Sequence, residues 1–114
     1  YTEGVQVDVT TGVEEKLIPT VFGLDQNYPN PFNPSTVIEF AIPQETHVKL
    51  EVYNMIGQRV AKLVDGVRPA GYYSVLFDAT GLASGVYVYR FEAEDPSAGS
   101  GQRFIETKKL LFLK

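Results

Sequence analysis

Strict alternation of apolar and polar residues is the feature that most constrains the fold of this chain. Successive side chains of a β-strand point to opposite faces, so this alternation predicts strands with one buried face. In the first two such segments the apolar positions are Ile38, Phe40 and Ile42 within residues 37–42, and Val48, Leu50 and Val52 within residues 47–53. No window of useful length keeps the 3.6-residue period of a helix. We therefore expect an all-β protein.

Turn-forming residues separate these segments from later ones of the same kind. We expect further strands at residues 59–64, 72–79, 86–94 and 103–114. Asn54 and Gly57 suit a tight turn in which Gly57 takes a positive φ, whereas "DGVRPAG" (65–71) and "DPSAGSG" (95–101) are typical of loops. About seven short strands joined by turns predict an antiparallel β-sandwich.

The N-terminal stretch has a mixed character. "VQVDV" (5–9) alternates like a strand, while Pro19 limits residues 13–18 to a single helical turn. We expect residues 1–23 to be a linker or an edge strand from the preceding region, and residues 24–114 to form one domain. Because the chain begins without methionine or a signal peptide, we expect it to be a piece of a longer protein.

Composition excludes several classes of function. A net charge of -4 and a pI near 4.9 argue against nucleic-acid binding, which needs a basic face. The absence of cysteine excludes disulfides and thiolate zinc sites. No apolar run approaches the roughly 20 residues of a membrane-spanning helix.

An enzyme is not expected from these residues. His47, the single histidine, starts a predicted strand and has no nucleophile motif beside it. None of Ser35, Ser74 and Ser84 has the G-x-S-x-G context of a hydrolase nucleophile. We expect no cofactor; calcium is the alternative left open by the predicted loop positions of Asp65, Asp78 and Asp95.

A carbohydrate-binding or purely structural module of a secreted enzyme, with an immunoglobulin-like or fibronectin-III-like fold, is the rival hypothesis. Several tyrosines could line one sheet face and stack on sugar rings. They are Tyr53, Tyr72, Tyr73, Tyr87 and Tyr89. Tyr87 and Tyr89 share a strand face with Phe91, which favours core packing over an open platform.

The stretch "QNYPNPFNPST", residues 26–36 and here called the proline segment, precedes the first alternating strand. Each proline fixes φ, removes a backbone donor and favours extended geometry in the residue before it. We expect a stiff, extended arm with few ladder bonds, anchored by packing of Tyr28 and Phe32. Such an arm would also guard a sheet edge against unwanted pairing.

Three stretches carry a resemblance to a known family: "LDQNYPNPFNPSTVIEFAIP" (24–43), "SGVYVYR" (84–90) and "TKKLLFLK" (107–114). Through them the chain resembles the type A C-terminal sorting domain of the type IX (Por) secretion system. The resemblance extends over nearly all of residues 24–114, and it implies an Ig-like sandwich of seven strands. The stretch "EDPSAGSGQRF" (94–104) is longer than the turn usual in that family.

The resemblance implies a sorting signal rather than a catalyst. The expected partners are the type IX translocon, a sortase-like peptidase that removes the domain, and a cargo domain on the N-terminal side. The expected location is outside a gram-negative bacterium or on its surface, reached through the periplasm. Cleavage is expected between Gly12 and Asp25, with surface attachment of some cargoes.

Carried over by position, the resemblance assigns three groups of motif residues. The N-terminal group is Asn27, Tyr28, Pro29, Asn30, Pro31, Phe32 and Asn33; the C-terminal group is Lys108, Lys109, Leu110, Leu111 and Lys114; the turn glycines are Gly57, Gly71 and Gly85. We expect the last strand to be the handle for the translocon, with strand addition as the binding mode. An exposed apolar last strand would also favour dimers of the isolated domain.

Overall fold

Two antiparallel sheets make up the fold in a computed structural model that describes residues 18–94 and 103–114. The strands are β1 (Gly23–Leu24), β2 (Ser35–Ile42), β3 (Thr46–Tyr53), β4 (Arg59–Arg68), β5 (Gly71–Asp78), β6 (Gly85–Glu94) and β7 (Arg103–Phe112). The sheet orders are β1-β2-β5 and β4-β3-β6-β7. The prediction of an all-β sandwich of about seven strands is confirmed. The predicted strand at residues 5–9, the helical turn before Pro19 and the loop tip at 95–101 lie outside the described residues, apart from Ile18.

Sequence alternation correctly identified the buried face of each sheet. Ile38, Ile42 and Val52 are fully buried, as expected from their alternate positions. Aromatic side chains join the two layers, with the Phe40 and Phe91 rings 4.9 Å apart between centroids. The remaining buried apolar positions form one continuous cluster with these. Burial of one face per strand is therefore the main stabilising term of the fold.

The predicted loop at residues 65–71 is wrong for its first four residues. β4 continues through Arg68, and Asp65 and Gly66 pair with Lys49 and Val48 of β3. Ladder hydrogen bonds to β3 outweigh the turn preference of the Asp-Gly pair. The connection to β5 is reduced to Pro69 and Ala70.

Residues before Leu24 also contact the sandwich. Pro19 is buried, and the Phe22 ring stacks on Phe104 with centroids 5.4 Å apart. Gly23 and Leu24 pair with Ala41 and Phe40 at the edge of the three-stranded sheet. The packed structure therefore begins ahead of the proline segment, and the segment leaves from β1.

Candidate recognition site

The proline segment runs from one sheet to the other along one side of the sandwich. Beside β2, the N–H and C=O of Tyr28 bond to the C=O and N–H of Val37 at 3.0 and 2.9 Å. Beside β7, the N–H of Phe32 donates to the C=O of Leu111 at 3.0 Å, and the N–H of Leu113 donates to the C=O of Phe32 at 3.1 Å. The segment therefore makes few ladder bonds, as expected, yet it bridges both sheets.

The start of the segment is held by a hydroxyl from the core. Tyr89 of β6 donates to the C=O of Asp25 at 2.7 Å and accepts the N–H of Asn27 at 2.9 Å. Burial raises the pKa of Tyr89 to about 12. The neutral phenol is therefore the form that fits this position, since it both donates and accepts.

Asn27 is itself buried, and its side chain ties the segment to β2. The Nδ2 group donates to Thr36 Oγ1 at 3.0 Å and to the C=O of Pro29 at 3.2 Å. Thr36 Oγ1 in turn donates to the same carbonyl at 2.8 Å. These side-chain bonds hold the segment to β2 at a place where the prolines, which lack an N–H, cannot donate ladder bonds. The peptide bonds before Pro29, Pro31 and Pro34 are cis.

Phe32 anchors the far end of the segment in the core. Its side chain is 2% exposed, and its ring centroid lies 5.2 Å from that of Phe112 and 6.0 Å from that of Phe77. The expected anchoring by Tyr28 is wrong, because that side chain is 81% exposed. Tyr28 pairs with Val37 of β2 through its backbone, and its ring lies on the solvent side of the three-stranded sheet.

Two polar side chains extend the contact between the segment and β7. Asn30 Oδ1 accepts the N–H of Leu111 at 2.9 Å, and Gln26 Nε2 donates to the C=O of Lys109 at 2.7 Å. Residues 26–33 and 108–114, distant in sequence, therefore form one structure. We call these two stretches together the terminal junction.

The C-terminal motif residues divide between core and surface. Leu110 is buried, Leu111 is half-buried, and Lys109 and Lys114 are exposed. Lys108 Nζ lies 3.2 Å from Glu106 Oε2. The Lys114 N–H donates to Ser84 Oγ at 3.0 Å. The apolar end of the last strand is thus mostly covered, although Ile105 within the strand and Leu113 beyond it are 43% and 48% exposed.

Of the three motif glycines, Gly85 pairs with Phe112 at the terminal junction, whereas Gly57 and Gly71 belong to other strand connections. Gly57 has φ 88° in the β3–β4 turn, and its N–H donates to the C=O of Asn54 at 3.1 Å, as the sequence predicted. Gly71 and Gly85 are the first residues of β5 and β6 and are not within turns. Their expected turn positions are therefore shifted into the strands.

The residues considered for catalysis are placed apart from one another. His47 Nε2 lies 3.4 Å from Asp65 Oδ1 on the outer side of the β3–β4 pair. Ser74 Oγ donates to Glu39 Oε2 at 3.1 Å. Ser84 Oγ accepts the backbone N–H of Lys114. Among the described residues, the structure does not bring a serine and the histidine together.

The tyrosine platform expected of a sugar-binding module does not form. Tyr87 and Tyr89 are buried. Tyr72 is exposed on the three-stranded sheet, whereas Tyr53 belongs to the four-stranded one. The five rings therefore do not share one accessible plane.

The aspartates considered for calcium are also separated. Asp65 lies within β4, not in the predicted loop, and Asp78 ends β5, where its Oδ1 accepts from Thr80. Asp95 is outside the described residues. Within residues 18–94 and 103–114, no group of three or more metal-ligating side chains is present.

The sequence analysis missed three residues whose side chains hold the terminal junction together. Tyr89, Thr36 and Gln26 were not among the motif residues, yet each bonds directly to the segment or to β7. A tyrosine at a core position of a strand was the available signal, because a buried hydroxyl usually needs a partner.

A family model described as "Secretion system C-terminal sorting domain" matches residues 26–105 of the chain. The match begins within the proline segment and extends into β7. No curated protein and no solved structure matches the chain. In the part of the chain that the structure describes, no helix is long and apolar enough to cross a membrane.

Proposed function

The chain belongs to the family of secretion system C-terminal sorting domains, and from this we propose that the terminal junction is the surface by which the type IX translocon recognises it. Membership makes the domain a sorting signal for export from a bacterium, and we propose that it has no catalytic role. The surface used, the partners and the later processing are the proposal.

The pairing of Phe32 with Leu111 and Leu113 carries this proposal. Those backbone bonds place the second half of the N-terminal motif beside the C-terminal motif at the outer edge of β7. The exposed side chains of the terminal junction include Tyr28, Asn33, Leu113 and Lys114. A partner that required both stretches in contact would bind only the folded domain, since unfolding separates them.

Lys114 and the exposed Leu113 offer a short basic and apolar end beyond β7. Strand addition at the part of β7 not covered by the proline segment is the binding mode that we propose for the translocon. The free N–H and C=O groups of such an edge would supply affinity, and a second contact with Leu113 and Lys114, beyond the C-terminal end of β7, would supply selectivity.

We further propose the order of events around this recognition. A cargo domain on the N-terminal side reaches the periplasm, and the folded sorting domain then directs it through the outer membrane. A sortase-like peptidase cuts the linker, and some of the released cargo is attached to the cell surface. Because Phe22 and Leu24 pack on the sandwich, we place the cut in the part of residues 12–25 that precedes Phe22.

An export assay tests the proposal. The full chain, fused behind a periplasm-targeted fluorescent reporter, is expressed in a host with a type IX system. The test variant combines Tyr28→Ala, Leu113→Ala and Lys114→Ala, all at exposed positions. The control is Ile56→Ala, which removes an apolar side chain that is 79% exposed in the β3–β4 turn, far from the terminal junction in sequence.

We expect the unaltered chain and the control to carry the reporter outside the cell, and the triple variant to leave it in the periplasm. Circular dichroism and urea unfolding of the purified variants show whether each remains folded. Export of the triple variant at the control level would place recognition elsewhere on the domain. Retention of the unaltered chain would contradict its action as a sorting signal in that host.

A further inference from the structure

The free edges of the two sheets differ in how they are protected from pairing with another chain. β1 is only two residues long and continues into the proline segment. The proline segment covers part of the β7 edge, and the Glu106–Lys108 ion pair lies on the strand face that includes the buried Leu110. β4 has two register irregularities against β3 and carries Arg59, Lys62, Asp65 and Arg68. Short edges, inward charges and bulges are recognised protections.

β5 has none of these protections. It pairs with β2 over eight consecutive positions without a register shift. No charged residue occurs from Gly71 through Phe77, and the strand sequence is GYYSVLFD. In the described residues, no strand lies on the other side of β5. A regular, uncharged apolar edge strand is a template for pairing with a further strand.

The ladder pattern identifies which backbone groups face this edge. The N–H of Ala79 donates to the C=O of Pro34 at 2.8 Å, which continues the β2–β5 ladder by one pair. Alternation along an antiparallel ladder then directs the N–H and C=O of Tyr73, Val75 and Phe77 toward β2. The bonds of Val37 agree with this pattern. Val37 lies opposite Leu76 in the β2–β5 pair, but its N–H and C=O bond to Tyr28 on the other side of β2.

The N–H and C=O groups of Tyr72, Ser74 and Leu76 therefore point away from β2. The side chains of Tyr72 and Leu76 are 65% and 62% exposed on the outer face of the sheet. An edge that presents backbone donors and acceptors beside two exposed apolar side chains is suited to another β-strand of similar character.

We propose that the occupant is β5 of a second copy, paired antiparallel about a two-fold axis at Ser74. In this register Ser74 lies opposite the partner copy's Ser74, and Tyr72 lies opposite Leu76 in both directions. Aromatic–aliphatic cross-strand pairs stabilise such an arrangement. The result is one continuous six-stranded sheet with an isologous interface.

The lack of charged residues along β5 favours pairing with a second copy over pairing with a charged strand of another protein. Although each chain carries a net charge of -4, the paired stretch is uncharged and brings no like charges together. The antiparallel register also places Asp78, at the end of each strand, near the start of the other copy's strand. That start, from Gly71 to Tyr73, carries no acidic residue that would repel Asp78.

Concentration-dependent association of the purified full chain tests the proposal. One strand pair buries much less than a standard interface, so we expect dimers at concentrations on the order of 0.1–1 mM, measured by sedimentation equilibrium. Ser74→Lys should abolish the dimer, because two ammonium groups would then lie opposite each other. Thr107→Lys is the control, since it makes the same kind of change on the edge strand β7.

Disulfide trapping tests the register. The chain contains no cysteine, so Ser74→Cys introduces a single thiol whose partner in the dimer lies directly opposite. Cα atoms in such a pair are about 5.5 Å apart, within the range that a disulfide spans. Mild oxidation should cross-link Ser74→Cys and leave Thr107→Cys largely monomeric.

Loss of the dimer in Ser74→Lys alone, together with selective cross-linking at position 74, would support the proposal. A monomer throughout the concentration range would overturn it. A dimer that survives Ser74→Lys, or that cross-links equally well at position 107, would also overturn it, because the interface would then lie elsewhere. Unfolding curves of both lysine variants show whether the monomers stay folded.

Discussion

The hydroxyl of Tyr89 accepts the backbone N–H of Asn27 at 2.9 Å, across 62 positions of sequence. The same hydroxyl donates to the C=O of Asp25. A side chain from the core strand β6 therefore fixes the point at which the chain leaves β1 and begins the proline segment. This single group connects the sandwich core to the terminal junction.

Replacing Tyr89 by phenylalanine should lower the free energy of unfolding by about 1–3 kcal/mol, because the buried N–H of Asn27 loses its partner. Urea unfolding measures the change. Tyr72→Phe is the matched control, since that side chain is 65% exposed and we expect a change below about 0.5 kcal/mol. Equal effects of the two substitutions would contradict the anchoring role of the Tyr89 hydroxyl.

The same contact predicts a dependence of stability on alkaline pH. Burial raises the pKa of Tyr89 from 10.0 to about 12. The folded state therefore favours the neutral phenol, and its contribution is complete below pH 10 and is lost as the pH rises toward 12. Urea unfolding of the wild type and of Tyr89→Phe across pH 8–12 should show their difference shrinking above pH 10. A difference that stays constant over that range would argue against this titration.

The two aromatic residues of the proline segment should differ sharply in their effect on stability. Phe32→Ala removes a buried ring between Phe77 and Phe112 and should cost about 3–5 kcal/mol. Tyr28→Ala removes a ring that is 81% exposed and should cost less than about 0.5 kcal/mol. Thermal and urea unfolding of the two variants test this. A large loss for Tyr28→Ala would mean that its ring is packed.

Gly57→Ala should destabilise the domain by about 1 kcal/mol through its backbone conformation alone. Gly57 has φ 88°, and an added Cβ would meet no heavy atom within 4 Å, so conformational strain is the main cost. Gly23→Ala is the control, because it also has open space and lacks the positive φ. The difference between their urea midpoints measures the strain, and equal midpoints would refute it.

Strand class and buried faces could be predicted because alternation is a local property. Ile38, Phe40 and Ile42 had to share one side of any strand that they formed. The end of β4 could not be predicted in this way. Asp65 and Gly66 favour a turn locally, and only their pairing with Lys49 and Val48 keeps them in the ladder.

For the recognition site, the prolines alone predict that the segment before β2 is rigid and poor in backbone donors, because proline fixes φ and lacks an N–H. Resemblance supplied the two motifs. The burial of Phe32, the exposure of Tyr28 and the bond between Asn30 and Leu111 follow only from the folded arrangement. Those outcomes depend on how the two sheets stack and where β7 ends, and no residue's local preference carries that information.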